Sequence, residues 1–245
     1  EGRRYPALVW THGGPTSQYN DTYHENVQFF AQRGYVVLLP NIRGSSGYGR
    51  DFEEANNDCW GHCDLEDVVA GTEYLKSLPY VERSQLGTTG SSYGGFMTCA
   101  AVAFAPGVFQ AAVAASGYCN RVQFVDEGEL RHVQQLAYEF GSFEEHPEVY
   151  YQNSPYFAIP QIRTPTFLLH GKGRYPNSPQ MEEFARFMQR EYKVFRYKFY
   201  PDENYYVRGR ANRWEMYEDM LAFFDFYLRE KDGPLPGVTY VEERW

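Results

Sequence analysis

The sequence predicts an α/β fold: a mostly parallel sheet with helices on both faces and a small helical insertion. Three observations predict it. Fully apolar runs of strand length recur, such as Ala7-Leu8-Val9-Trp10 and Tyr35-Val36-Val37-Leu38-Leu39, and strands apolar throughout belong to sheets covered on both sides. Segments of helical periodicity separate them, which is the pattern of β-α-β units. No internal repeat or low-complexity linker interrupts the 245 residues. The chain therefore reads as one domain over 1–245, with 118–160 as the insertion, long enough to bury a sizeable core.

The elements follow in order. Ala7 to Trp10 is a buried strand, and Asn26 to Arg33 a helix that stops at Gly34. Tyr35 to Leu39 is a second buried strand, ended by Pro40, and a Gly/Ser loop runs from Arg43 to Gly49. Asp64 to Leu78 is a helix with Leu65, Val68, Val69, Tyr74 and Leu75 on one apolar face; acids crowd its first turn, where the helix dipole favours them. Gln85 to Thr89 is a short strand, followed by Gly90-Ser91-Ser92-Tyr93-Gly94-Gly95 and an alanine-rich helix from Phe96. Gln110 to Ala115 is a strand, and 118–160 is a helical excursion rich in acids and aromatics. Strands at Thr166 to Leu169 and Val194 to Tyr200 flank a helix from Pro179 to Tyr192. Ala211 to Glu230 is a long helix, and Gly233 to Trp245 a tail.

Composition excludes several function classes. A net charge of −9 argues against a nucleic-acid binder. With 43% hydrophobic and 22% charged residues the chain is globular and not disordered. No apolar run approaches the ~18 residues of a membrane span, so no membrane association is expected. The aromatic share of 18% exceeds what a core alone needs and points to aromatic-lined pockets or interfaces. Four cysteines, at 59, 63, 99 and 119, are too few for a disulfide scaffold. The run Cys59-Trp60-Gly61-His62-Cys63 lacks the spacing of a zinc pair. Ordinary reduced thiols, no metal and no cofactor are the expectation. No signal peptide is visible, so the cytoplasm is the expected compartment. The chain begins at Glu1, which suggests a processed, excised or incompletely represented protein.

Gly90-Ser91-Ser92-Tyr93-Gly94 matches Gly-x-Ser-x-Gly between a predicted strand and a predicted helix. That context makes it a nucleophile elbow: the glycines allow a sharp turn that lifts Ser92 above the sheet edge. The helix N-terminus behind it favours developing negative charge.

Together with further motifs, this turn makes the sequence resemble the catalytic domain of the prolyl oligopeptidase family, near its acylaminoacyl-peptidase and dipeptidyl-peptidase branches. The resemblance covers nearly the whole chain. It rests on His12-Gly13-Gly14-Pro15 after the first strand and on Asn41-Ile42-Arg43-Gly44-Ser45-Ser46-Gly47-Tyr48-Gly49 after the second. Trp60-Gly61, Asp64, the run from Gly90 to Phe96, Ser154-Pro155, Thr164-Pro165 and Leu168-Leu169-His170-Gly171 continue it. It implies an α/β-hydrolase fold with Ser92 as nucleophile. The backbone N–H of Tyr93 and one from the His12-Gly13-Gly14 loop, Gly14 in preference, would form the oxyanion hole. Members of the family cleave short or acylated peptides by acyl transfer through Ser, His and Asp.

The pattern breaks at two places. The family's acid follows the penultimate strand, and the stretch from His170 to Gln180 has Arg174 in its place and is one residue short. The family's histidine follows the last strand, where Tyr200-Pro201-Asp202-Glu203-Asn204-Tyr205 has Tyr205 instead. No histidine occurs after His170. A serine hydroxyl needs a base about 3 Å away and that base needs an orienter; neutral tyrosine, with a pKa near ~10, is no base at pH 7. His12 and His170 are the alternative bases, and Asp126, Glu127 and Asp202 the alternative acids. The resulting reading is a non-hydrolytic or repurposed relative of these serine peptidases. The alternative is an active peptidase or esterase with a rewired base.

Other residues have bounded roles. Asp64 and Asp67 read as helix-capping and loop-bracing groups, and Arg43 as a brace of its loop. Tyr118, Arg121, Glu127 and Glu129 occupy the insertion, where family members shape substrate pockets, and are candidate contacts for a peptide or a small acyl or aromatic ligand. The Gly/Ser loop lacks Gly-Lys-Ser/Thr and does not read as a phosphate cradle. The family's propeller and the first two strands of its fold are not visible in the sequence. The apolar edge from Val36 to Leu39 would then lie open and invite a partner chain or a second copy.

Overall fold

The computed structural model describes residues 2–127, 130–172 and 177–230. Its six strands are β1 (Tyr5–Thr11), β2 (Val36–Leu38), β3 (Val81–Ser91), β4 (Ala111–Ala115), β5 (Thr166–Gly171) and β6 (Phe195–Tyr200). They form a sheet in the order β2-β1-β3-β4-β5-β6, with every neighbouring pair parallel. Parallel neighbours cannot be joined by tight hairpins, so crossover helices coat both faces.

β1 shows how the strands serve both sides. Successive side chains of a strand point to opposite faces. Ala7 and Val9 pack with Leu65, Val68 and Phe96, which come from α3 (Cys63–Ser77) and α4 (Tyr93–Phe104). Leu8 and Trp10 pack with Phe30 of α1 (Glu25–Gln32) and Phe223 and Phe224 of α9 (Arg210–Asp225). A third cluster joins Cys99 and Ala103 of α4 to Met181, Phe184 and Met188 of α8 (Asn177–Arg190).

The chain leaves β1 for β2 on one side and then resumes at β3 on the other. The sheet therefore reverses direction between β1 and β3. At such a switch point the loops leaving the C-terminal strand ends diverge and open a crevice. The loop after β1 carries His12 to Pro15, and the turn after β3 carries Ser92.

Several boundaries depart from the sequence expectation. β3 is much longer than Gln85 to Thr89, because it pairs with β1 through an irregularity between Tyr5 and Ala7 that accommodates the polar Glu82–Gln85 stretch. α4 begins at Tyr93 and not at Phe96; its glycines sit in the first turn, where tight packing decides the matter over helix propensity. A short helix, α2 (Arg50–Glu53), follows Gly49. The insertion contains α5 (Arg121–Glu127), α6 (Leu130–Phe140), α7 (Pro147–Gln152) and a 3₁₀ segment, Pro155–Gln161. α9 continues into a π-helical turn, Phe226–Glu230, and the expected tail lies outside the described residues.

The cysteines overturn the expectation of free thiols. Cys59 pairs with Cys63 and Cys99 with Cys119, with Cα atoms 5.6 and 6.4 Å apart. No group of three metal-ligating side chains is present among the described residues. Among them, too, no helix is long and apolar enough to cross a membrane. β2 lies at one margin of the sheet, half-buried and paired with β1.

His170, on β5, is 2% exposed, with its Nε2 2.8 Å from the Tyr197 hydroxyl and its Nδ1 2.9 Å from the Gly171 carbonyl. Burial lowers its pKa to about 4, against the raising effect of the Gly171 carbonyl. The unfolded chain therefore binds this proton more readily than the folded one, and stability falls as pH drops from about 6.5 towards about 4. The shift corresponds to roughly 3 kcal/mol at full extent. His170→Gln should remove this sensitivity: urea denaturation at pH 7 and pH 4.5 should show a smaller loss of stability in the variant than in the parent.

Candidate active site

The turn joining β3 to α4 is the sharpest feature of the crevice. Ser92 adopts φ 62° and ψ −117°, a conformation that non-glycine residues rarely take and that persists only where the surroundings enforce it. Its N–H donates to the Ala115 carbonyl of β4 at 3.0 Å. Glycine is required on the helical side of the turn. Any side chain at Gly94 would run into the Thr11 carbonyl of β1, and one at Gly95 into the Ala115 carbonyl of β4. The backbone of Gly13 lies against Ser92, so that a Cβ there would sit 3.5 Å from the Ser92 Cβ.

Tyr93 anchors the turn from below. It is fully buried, and its hydroxyl donates to Asp64 and accepts from Asn56 Nδ2 at 3.1 Å. Asp64 also accepts the Gly61 N–H at 2.7 Å. Burial raises the Asp64 pKa to about 6, with the bonds from Tyr93 and Gly61 opposing it. Trp60 packs edge-on against Tyr93 at 5.0 Å between centroids. Asp64 thus does more than cap a helix: it clamps the residue next to Ser92. Arg43 braces its loop as expected, with Nε and Nη2 donating to Asp67 at 2.9 and 2.7 Å and its own N–H at 2.8 Å.

Two phenols neighbour Ser92: its side chain opposes the rise in pKa that burial imposes on both Tyr118 and Tyr205. Tyr205 is held on the loop after β6 by a reciprocal pair of bonds: the Ser116 hydroxyl donates to the Tyr205 carbonyl at 2.7 Å, and the Tyr205 hydroxyl donates to the Ser116 carbonyl at 3.1 Å. Glu203 shapes the same loop by accepting the N–H groups of Arg208 and Gly209 at 3.0 and 2.9 Å and Asn212 Nδ2 at 2.8 Å. The proton of the Tyr205 hydroxyl is directed at the Ser116 carbonyl. Burial pushes its pKa well above the ordinary value. The same effect raises that of Tyr118, with the charge of Arg121 opposing it.

The two histidine candidates have other partners. His12 Nε2 lies 2.8 Å from the Ser45 hydroxyl and its Nδ1 2.7 Å from the Gly13 carbonyl. His12 and His170 therefore spend both ring nitrogens away from Ser92. Asp202 is exposed on the turn after β6. Arg174 and Glu129 lie outside the described residues, as do the side chains of Asp126 and Glu127. Arg121 is fully buried, its guanidinium carbon 3.9 Å from the Phe96 centroid and 4.9 Å from that of Tyr118. The contribution of Ser116 was not foreseen: a serine after an alanine-rich strand carries no distinguishing pattern.

The family model of the prolyl oligopeptidase family matches residues 21–231. The chain belongs to the prolyl oligopeptidase family. A probable dipeptidyl-peptidase 5 of Aspergillus terreus is 30% identical over 235 residues, covering 92% of this chain and 32% of that protein. The uncharacterized peptidase YuxL of Bacillus subtilis is 35% identical over 175 residues, covering 69% of this chain and 26% of its own. Among solved structures, an acylaminoacyl peptidase in complex with Z-Gly-Gly-Phe-chloromethyl ketone superposes with a TM-score of 0.88 at 26% identity, covering 96% of this chain and 39% of that one. The α/β-hydrolase fold implied by the sequence is therefore the fold observed. The chain spans about a third of the length of the relatives it matches.

The Asp64 clamp has a measurable weight. Asp64→Ala strands the Tyr93 hydroxyl and the Gly61 N–H in the interior and should lower the unfolding free energy by about 3 kcal/mol. Asp67→Ala, at a half-exposed pair, should cost about 1 kcal/mol or less. Urea denaturation of the two variants should show this order.

Proposed function

We propose that this chain binds peptides at a prolyl-oligopeptidase-type site without hydrolysing them, or with strongly reduced hydrolysis. The observation that carries the reading is the phenol of Tyr205 against the Ser92 hydroxyl. Acyl transfer needs the serine proton removed as the hydroxyl attacks. A buried phenol whose own proton is committed to a carbonyl has no basicity to offer at neutral pH. In this reading Ser92 stands at the nucleophile position, Tyr205 at the family's histidine position and Arg174 at that of its aspartate. The N–H groups of Tyr93 and Gly14 form an oxyanion hole, which by itself leaves a residual rate of about 10³-fold over water.

The ligand class follows from the family and the lining. The acylaminoacyl peptidase compared above carries a short peptidyl ligand, and Tyr118 and Arg121 supply an aromatic and a charged group for a peptide or a small acyl or aromatic compound here, with Glu127 as the third candidate from the sequence. The margin of the sheet at β2, with Leu39 beyond it, is the place where a partner chain or second copy pairs. Light scattering at tens of micromolar should therefore show a species larger than one chain; a stable monomer removes this part of the proposal.

Labelling by a fluorophosphonate tests the central claim, because the probe requires an activated serine. Negligible modification is expected at pH 7, and also at pH 10, since the raised pKa of Tyr205 keeps the phenol protonated there. Rapid stoichiometric labelling that Ser92→Ala abolishes would establish the rewired-base alternative instead. Tyr205→His alone should restore little esterase activity, because no carboxylate stands between Gly173 and Gln180, where the family's acid falls, to orient the imidazole. A large gain would reveal an acid already in place.

A further inference from the structure

Arg121 is a buried cation whose hydrogen-bonding edge is empty. Its side chain is fully buried, and Nε, Nη1 and Nη2 all lack a hydrogen-bond partner. A guanidinium has two faces that stack on rings and a planar edge of five N–H donors. The rings of Phe96, Trp60 and Tyr118 lie 3.9, 4.6 and 4.9 Å from its central carbon. None of these contacts is a hydrogen bond, so the donors of the edge are unserved. Glu139 and Asp64 act on it through their charge alone, forming no ion pair with it. Native interiors pair nearly all such groups.

The backbone around Arg121 is fixed independently of its charge. Its N–H donates to the Ser154 hydroxyl at 2.8 Å, and that hydroxyl donates to the Tyr150 carbonyl at 2.7 Å. The position is thus held from the main chain, while the charged end is unassigned. It is also near Ser92: the guanidinium lies over the ring of Tyr118, at 4.9 Å, and Tyr118 has Ser92 as a side-chain neighbour. One ring separates the cation from the serine, a span that a single amino-acid side chain covers.

We propose that Arg121 is the anion-recognising residue of the site beside Ser92, and that its ligand is a short peptide bearing a carboxylate; this rests on the peptide-binding reading above. A carboxylate presents two coplanar oxygens that match the edge of a guanidinium. It would supply the acceptors that the protein withholds. The carboxylate comes either from an acidic side chain at the residue whose carbonyl meets Ser92 or from the C-terminus of the peptide.

Isothermal titration calorimetry of the whole chain at pH 7 tests this with acetyl-Ala-Ala-Glu-amide, acetyl-Ala-Ala-Gln-amide and acetyl-Ala-Ala-Ala carrying a free C-terminal carboxylate. At least one acid should bind about tenfold or more tightly than the glutamine amide. Preference for the glutamate amide assigns the side chain as the source, and preference for the free acid assigns the C-terminus. Arg121→Met should erase the preference while the thermal midpoint holds or rises, because an apolar side chain replaces an unpaired buried charge. Arg121→Lys keeps the charge without the planar edge and should retain a reduced preference. It serves as the second variant if the methionine form does not fold. Equal affinity for all three peptides overturns the proposal and leaves peptide binding standing. Absence of binding by all three overturns it as well, while the labelling of Ser92 reports separately on hydrolysis. A preference that survives Arg121→Met assigns recognition elsewhere and also overturns it.

Discussion

The backward-turned backbone at Ser92 is the constraint on which the rest of the site depends. A left-handed φ is unfavourable for serine and survives only between rigid supports. The supports come from every side. β3 delivers the chain, β4 accepts the Ser92 N–H, and the carbonyls of Thr11 and Ala115 press so close that glycine alone fits at 94 and 95. Below, the Tyr93 hydroxyl is bound to a carboxylate sealed in the core. Each support is a backbone or buried polar contact, so the position of Ser92 is independent of whatever surrounds its hydroxyl.

Scaffold and chemistry are thus held by separate groups. The groups that hold the turn are intact, whereas the groups that face the hydroxyl are phenols. Burial acts on these phenols in one direction, towards the neutral form. The same low-polarity surroundings leave Arg121 charged among ring faces with its donors unspent. The surroundings of Ser92 thus combine two neutral phenols and a cation.

The strands were legible because their apolar runs are local and continuous, and the turn was legible because its glycines answer to steric needs within five residues. What was not legible depends on partners distant in sequence. Asp64 meets Tyr93 across 29 residues, and Ser116 meets Tyr205 across 89; neither pairing leaves a periodicity. Cys99 and Cys119 are brought together by α4 packing beside the end of β4, which no spacing rule anticipates. The early start of α4 was hidden because glycine weakens helix propensity while the sterics here demand it.

The reciprocal bonds between Ser116 and Tyr205 carry an evolutionary consequence. The tyrosine is a structural tie between the loops after β4 and β6 as well as a neighbour of Ser92. A lineage that has come to rely on this tie cannot exchange the residue freely, because an imidazole is shorter and loses the donation to the Ser116 carbonyl. Exchange of Tyr205 for a shorter side chain therefore loosens the loop after β6. The tie couples the residue at this position to the conformation of the loop that carries it.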